Sequence, residues 1–222
     1  MDHGTILTIH FWLSATMSAA GLGAILLKKG STAHRWAGRI FVGVMAVSIV
    51  TGLALATMAE NGWVQGWVAS PSIYLALSGW ATMRRWEGAG RPMTLACTAF
   101  GLFLIASGAW FALQELAKPS GGPGGGAFFI VALALLAWFL ILDLKVILGG
   151  GLAGPRRTAR HIWRMGLTLA IVTGSTAAAP SRQHPQELAL LIAAPAILAL
   201  VLTVFWMVRT LFFGKPRRLA PA

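Results

Sequence analysis

Ala127-Phe128-Phe129-Ile130-Val131-Ala132-Leu133-Ala134-Leu135-Leu136-Ala137-Trp138-Phe139-Leu140-Ile141-Leu142-Asp143-Leu144-Lys145-Val146-Ile147-Leu148 is the stretch on which the fold class turns. Before Asp143 it carries no charge. Its length matches the roughly 20 residues, at ~1.5 Å each, that an α-helix needs to cross a hydrocarbon core ~30 Å thick. Glycines bound it on both sides, Gly124-Gly125-Gly126 before and Gly149-Gly150-Gly151 after, so the apolar run begins and ends as one unit.

Six further apolar blocks lie on either side. The predicted spans are 6–27, 37–58, 67–83, 93–113, 127–148, 162–179 and 188–213. The expected fold is therefore all-α: a polytopic transmembrane bundle of seven spans, forming a single domain over residues 1–222. Pro71 falls in the first turn of the third predicted span, where proline is tolerated. Pro195 falls inside the seventh. Lys118-Pro119-Ser120-Gly121-Gly122-Pro123 reads as a flexible loop between the fourth and fifth. Asp2 and His3 stand where a signal peptide would carry Lys or Arg, so the first block is read as a retained helix.

Composition agrees. Of the 222 residues 57% are apolar and 11% charged, well under the ~25% charged that a soluble domain uses to face water. A net charge of +12 would suggest nucleic acid in a soluble protein. Here it reads as topology, because Lys and Arg collect in cytoplasmic loops. With seven spans, all of the 18 Lys and Arg residues except Lys118 and Arg182 fall on one side. That places the N-terminus outside and the C-terminus in the cytoplasm, in a multi-pass protein of the cell inner membrane with lipids, not nucleic acid, as its surroundings. Asp2, Glu60, Glu115 and Glu187 fall on the outer side. Trp36, Trp86 and Trp163 at inner ends, and Trp63, Trp67 and Trp110 at outer ends, read as headgroup anchors. Ser14, Ser18, Gly21, Gly43, Ser48, Gly52, Gly101 and Gly108 read as close-packing positions between helices.

Chemistry concentrates at the inner ends. Asp143 is the only acidic residue within a predicted span, about one and a half turns before the inner end of its helix. A lone carboxylate in hydrocarbon costs several kcal/mol, so Asp143 requires a partner or a wet cavity. Arg164, about one turn into the sixth span, is the first choice and His161 the second. His34-Arg35-Trp36-Ala37-Gly38-Arg39 opens the second span and His161-Ile162-Trp163-Arg164 the sixth. Together they form a basic ring that serves either as a topology anchor or as an anion site at helix N-termini. Asp143, His161, Arg164, His34, Arg35, Arg39 and His10 are thus the candidate ligand-binding residues.

Intramembrane histidine can ligate haem or relay protons. Only His10 lies clearly within a span, however, and His184 falls in an outer loop, so haem remains an alternative. There is no zinc-ligand spacing, nucleophile elbow or phosphate loop, and no lysine in the seventh span to form a retinal Schiff base. The metal reading is none. Thr168, Thr173, Ser175 and Thr176 with Gly166 and Gly174 make the sixth helix the most polar, so it is expected inside the bundle.

His10, Gly23, Lys29-Gly30, His34-Arg35 and Gly38-Arg39, followed later by Asp143-Leu144-Lys145 and Arg160-His161-Ile162-Trp163-Arg164-Met165, resemble a bacterial family of uncharacterised multi-pass membrane proteins, a domain of unknown function. The resemblance implies an integral membrane protein with these polar residues as its characteristic positions. It implies no activity. The functional expectation is a small transporter or ligand-binding membrane protein with an inner Asp/His/Arg cluster. The alternatives are a haem- or quinone-linked redox protein and a structural or accessory subunit.

Overall fold

The computed structural model describes residues 2–59, 62–117, 125–181 and 189–213. Glu60, Lys118, Arg182, His184, Glu187 and the basic residues of 215–218 lie outside them. Among the described residues there are seven α-helices and no strand: α1 (His3–Leu26), α2 (Thr32–Met58), α3 (Gly62–Ala81), α4 (Arg91–Leu116), α5 (Gly125–Leu148), α6 (Gly154–Ser181) and α7 (Ala189–Phe213). A short irregular turn, Trp86–Gly90, joins α3 to α4. Five helical stretches are long and apolar enough to cross a membrane: His3–Leu26, Thr32–Met58, Trp86–Leu116, Phe129–Leu148 and Ala193–Phe213.

Several helices begin before their apolar blocks. α2 starts where the Ser31 hydroxyl accepts the His34 N–H at 3.2 Å, an N-cap. α6 starts at Gly154, whose φ of +57° lies in the left-handed region, with Pro155 in the first turn. Two expectations change as a result. His161 does not open a helix; it lies about two turns into α6, and the helix start it was assigned belongs to Gly154. Pro71 sits inside α3, not in its first turn, because α3 begins at Gly62. The apolar block marks depth, and the polar residues beside it continue the same helix.

α3 and α6 lie side by side in the middle. One apolar core on their α4–α5 side contains Trp67, Tyr74, Leu75, Leu104, Leu136 and Leu140. A second, on the side of α1, α2 and α7, contains Met17, Ile25, Phe41, Met45, Leu169 and Ala199. Neighbouring helices run antiparallel. Residue pairs show this: His34 meets Ala24 while His10 meets Thr51, and Arg157 reaches Thr82 while Thr168 reaches Ser72. The outcome is one basic end of the bundle, carrying Lys28, Lys29, Arg35, Arg84, Arg85 and Arg157.

Glycine sets the closest approaches. A Cβ on Gly21 would collide with Leu169 of α6, on Gly108 with Trp67 of α3, and on Gly166 with Thr203 of α7. Gly43 departs from expectation: it is exposed, and a Cβ there would meet open space. Trp67 is not a headgroup anchor either. It is buried, its indole N–H donates to the Leu104 carbonyl at 2.9 Å, and its ring lies 5.0 Å from that of Phe129.

These contacts separate two glycines of similar appearance in the sequence. Thr203 is buried, β-branched and bonded to the Ala199 carbonyl at 2.6 Å, so it has little freedom to yield. Gly166→Ala is expected to destabilise the protein by about 1–3 kcal/mol, the usual range for overpacking. Gly43→Ala should be neutral or slightly stabilising, since alanine is the better helix former. Thermal unfolding of both variants in detergent checks the contrast; equal effects would remove the close α6–α7 approach from the fold.

Candidate functional site

Tyr74 and Ser78 of α3 and Thr82, the residue just past its end, recur every four residues and so form one stripe. Arg157, Arg160, Arg164 and Thr168 do the same on α6 at spacings of three and four. The two stripes face each other, and Asp143 of α5 enters from the α4–α5 side. Asp143 and Arg164 are both 0% exposed and Arg160 is 6% exposed.

Every oxygen of Asp143 is engaged. Arg164 donates to Oδ1, and to Oδ2 at 3.3 Å; Arg160 donates to Oδ1 at 2.7 Å; the Tyr74 hydroxyl donates to Oδ2 at 2.7 Å. Arg164 also donates to the Ser78 hydroxyl and to the Phe139 carbonyl at 3.3 Å. Its guanidinium lies over the Tyr74 ring, 5.3 Å from the centroid, a cation–π distance. Arg160 reaches the Thr82 hydroxyl, which in turn donates to the Ser78 carbonyl at 2.7 Å. Arg157 covers the end of α3, donating to the Thr82 carbonyl at 2.8 Å and the Arg84 carbonyl at 3.1 Å. These carbonyls have no partner within the helix.

The structure thus brings together Asp143 and Arg164, the pair expected from depth. His161 is not Asp143's second partner. Its Nδ1 lies 2.9 Å from the Gly79 carbonyl, because the ring points around α6 by about 100° from Arg160. The residues that do complete the site, Arg160 and Tyr74, were not among the candidates. Their signals were present: an arginine one turn before Arg164 on the same face, and the only tyrosine of the chain, four residues before Ser78.

The other candidates disperse. Arg35 and Arg39 are exposed, the first on the Thr32 hydroxyl at 3.3 Å and the second over the Trp36 ring at 5.1 Å. His10 bonds the Thr51 hydroxyl at 2.8 Å, at the end of the bundle away from the arginines. Trp163 is no headgroup anchor, since it stacks at 5.0 Å on Phe139 and carries Arg164 over its ring at 4.9 Å.

His34 and His161 lie near each other with Lys29. His34 Nδ1 is 2.9 Å from the Ala24 carbonyl, and Lys29 Nζ donates to the same oxygen at 3.1 Å and to the Ile25 carbonyl. Lys29 lies beyond the end of α1, and burial pushes its ammonium down to about 8. Among the described residues no three His, Cys, Asp or Glu side chains gather as metal ligands.

Two features limit what the Asp143 site can do. The hydroxyls of α6 are spent on backbone carbonyls: Thr168 donates to Arg164 and, at 3.4 Å, to Ser72 of α3, Thr173 to Leu169, and Ser175 and Thr176 to Val172. Shallow apolar grooves lie on the outside of α7 and α1. Along α6, Thr168, Leu169, Val172 and Thr173 are buried and Gly166 lies against Thr203, so the described interior there is packed. The second feature is charge. Two guanidiniums face one carboxylate, and the Nε–H groups of both Arg160 and Arg164 are buried without a hydrogen-bond acceptor.

The fold belongs to the class of all-helical bundles with several helices suited to spanning a membrane. No protein family, curated protein or solved structure matches the chain.

Removing one member of a buried ion pair leaves the other charge alone and typically costs ~3–5 kcal/mol. Asp143→Asn strands two arginines, whereas Arg164→Leu leaves Asp143 with Arg160 and Tyr74. Asp143→Asn is therefore expected to be the more destabilising, and the double variant should recover part of the loss. Unfolding midpoints of the wild type, both single variants and the double variant form the cycle; strictly additive losses would reject direct coupling.

Proposed function

We propose that the chain is a seven-span protein of the inner membrane, N-terminus outside and C-terminus in the cytoplasm. We further propose that it binds a small anionic ligand at its cytoplasmic end, as a small transporter or a ligand-binding membrane protein. The observation that carries the ligand reading is the surplus positive charge at Asp143. Arg164 and Tyr74 alone saturate that carboxylate. Arg160 adds a second buried cation on the same carboxylate, so two cations share one anion. Desolvating an unbalanced charge is costly, and a guanidinium is suited to a carboxylate or phosphate. Arg160 lies one turn closer to the basic end than Arg164, so an anion arriving from that end meets it first.

The span count is supported by which helices fall short of spanning hydropathy. They are α3 and α6, the central pair. Helices packed between others present less surface to lipid, so their polar residues are compatible with crossing. The orientation is supported by the gathering of Lys and Arg at one end. The packed interior around α6 favours a second reading, in which the network is a pin between helices and the protein an accessory subunit. The resemblance to uncharacterised bacterial multi-pass proteins fits either.

A cytoplasm-only reporter fused after Gly214 should be active, and one fused at Pro123 silent. Activity at Pro123 would sink the seven-span topology.

The ligand reading is tested by Arg160→Gln. The wild type in detergent should gain thermal stability with millimolar phosphate or a small carboxylate, by mass action on the folded state. Arg160→Gln should keep its ligand-free stability, since Asp143 remains paired, and lose the gain. A variant that unfolds as Asp143→Asn does would assign Arg160 to the pin.

A further inference from the structure

Gly21 of α1 meets Leu169 of α6 and Phe41 of α2 at one point in the second apolar core. From that point His34 is seven residues back along α2 and His161 eight residues back along α6, each about two helical turns toward the basic end. Lys29, past the extended Leu27 that ends α1, folds back onto the Ala24 and Ile25 carbonyls at the same end. Three bases from three elements therefore arrive at one depth. Their contacts agree: Lys29 and His34 share the Ala24 carbonyl, and both lie within electrostatic reach of the His161 ring.

α7 adds a fourth. The Trp206 ring carries Lys29 on it at 4.6 Å and Arg209 at 5.1 Å. Ile25, Phe41, Met165 and Trp206 form the apolar floor. No described carboxylate bonds any of the four bases, and Asp143 is spent on α6's arginines.

The histidine tautomers follow from the acceptors. A carbonyl oxygen only accepts, so Nδ1 of His34 and of His161 each carries the hydrogen. Each Nε2 is then without a partner in the described protein. It accepts when neutral and donates when the ring is protonated. Both rings are held in place by main chain, which is how a ligating imidazole is oriented. A cation would be repelled by Lys29 and Arg209. A phosphate would find one free ammonium hydrogen, two imidazole Nε2 groups and a guanidinium.

We propose that Lys29, His34, His161 and Arg209 form a phosphate-binding site at the basic end of the bundle. Its ligand is the phosphate of an anionic lipid headgroup or of a soluble phosphate ester. The inference shares the proposed topology but not the Arg160 reading, whose residues it does not use.

The experiment places the full chain in phosphatidylcholine nanodiscs, with inorganic phosphate added in one arm and phosphatidylglycerol replacing part of the lipid in the other. The readout is acylation of Lys29 against Lys28 near pH 8, where the half-buried amine is partly unprotonated. A bound phosphate holds the proton on Lys29. A displacement of its titration upward by one pH unit would slow acylation near pH 8 by about fivefold, while exposed Lys28 stays constant. Protection by phosphatidylglycerol alone identifies a headgroup site, and protection by free phosphate alone a soluble-ligand site.

His161→Gln and Arg209→Gln should each weaken the protection, and chloride at equal ionic strength should give none. Arg160→Gln should leave it intact. Protection that disappears in Arg160→Gln but survives in His161→Gln would overturn this site and leave the Arg160 reading standing. No protection in either arm would overturn the site outright, and since the wild type alone reports it, a variant that fails to fold does not obscure the result.

Discussion

A carboxylate in the middle of an apolar bundle dictates the positions of everything around it. Asp143 cannot be left unpaired in hydrocarbon without a cost of several kcal/mol. It is satisfied by groups from two other helices, Arg160 and Arg164 on α6 and Tyr74 on α3. Those three side chains must arrive at the same depth with the correct faces turned inward. Once they do, α3 and α6 are fixed side by side, α5 is locked over them, and the two apolar cores have a common wall. Hydrophobic packing alone would not select this register, because Leu against Leu is nearly indifferent to a slip of one turn in a lipid environment. The polar contact is what discriminates.

Glycine then decides how tightly the register closes. Gly101 faces Leu140 and Tyr74, and Gly21 faces Phe41 and Leu169. The first approach brings α4 against the helices that carry Tyr74 and Asp143. The second brings α1 and α2 against α6, and through them Lys29 and His34 to the level of His161. The basic cluster at the end of the bundle therefore depends on an apolar contact two turns away. A substitution at Gly21 would displace the bases without touching them.

The helices were legible because hydropathy reports what each segment faces. The Asp143–Arg164 contact was legible for the same reason: two charged groups predicted at one depth on antiparallel helices have few alternatives. Arg160 and Tyr74 were missed because depth does not specify azimuth. Arg160 looked like a loop arginine while α6 was taken to begin at its apolar block, and Tyr74 is uncharged and sits in an apolar run. Reading α6 from Gly154 puts Arg157, Arg160 and Arg164 on one face, and the missing partner then follows from spacing. Trp67 failed differently. A tryptophan near a helix end satisfies its N–H equally well at a headgroup or on a buried carbonyl, and here the Leu104 carbonyl won.

The order of these elements along the chain has a consequence for biogenesis. α3 and α5 emerge from the ribosome before α6, so Asp143 meets the membrane before either of its arginines exists. Until then Tyr74 of α3 is the one site partner already made, and it donates to Asp143 in the finished fold. α6, with its row of arginines, is the segment least able to enter lipid by itself. The two helices carry opposite charges, so each supplies the partner that the other lacks. Pairing of α5 with α6 is in this sense a docking step within one chain, completed only when the later helix reaches the earlier one.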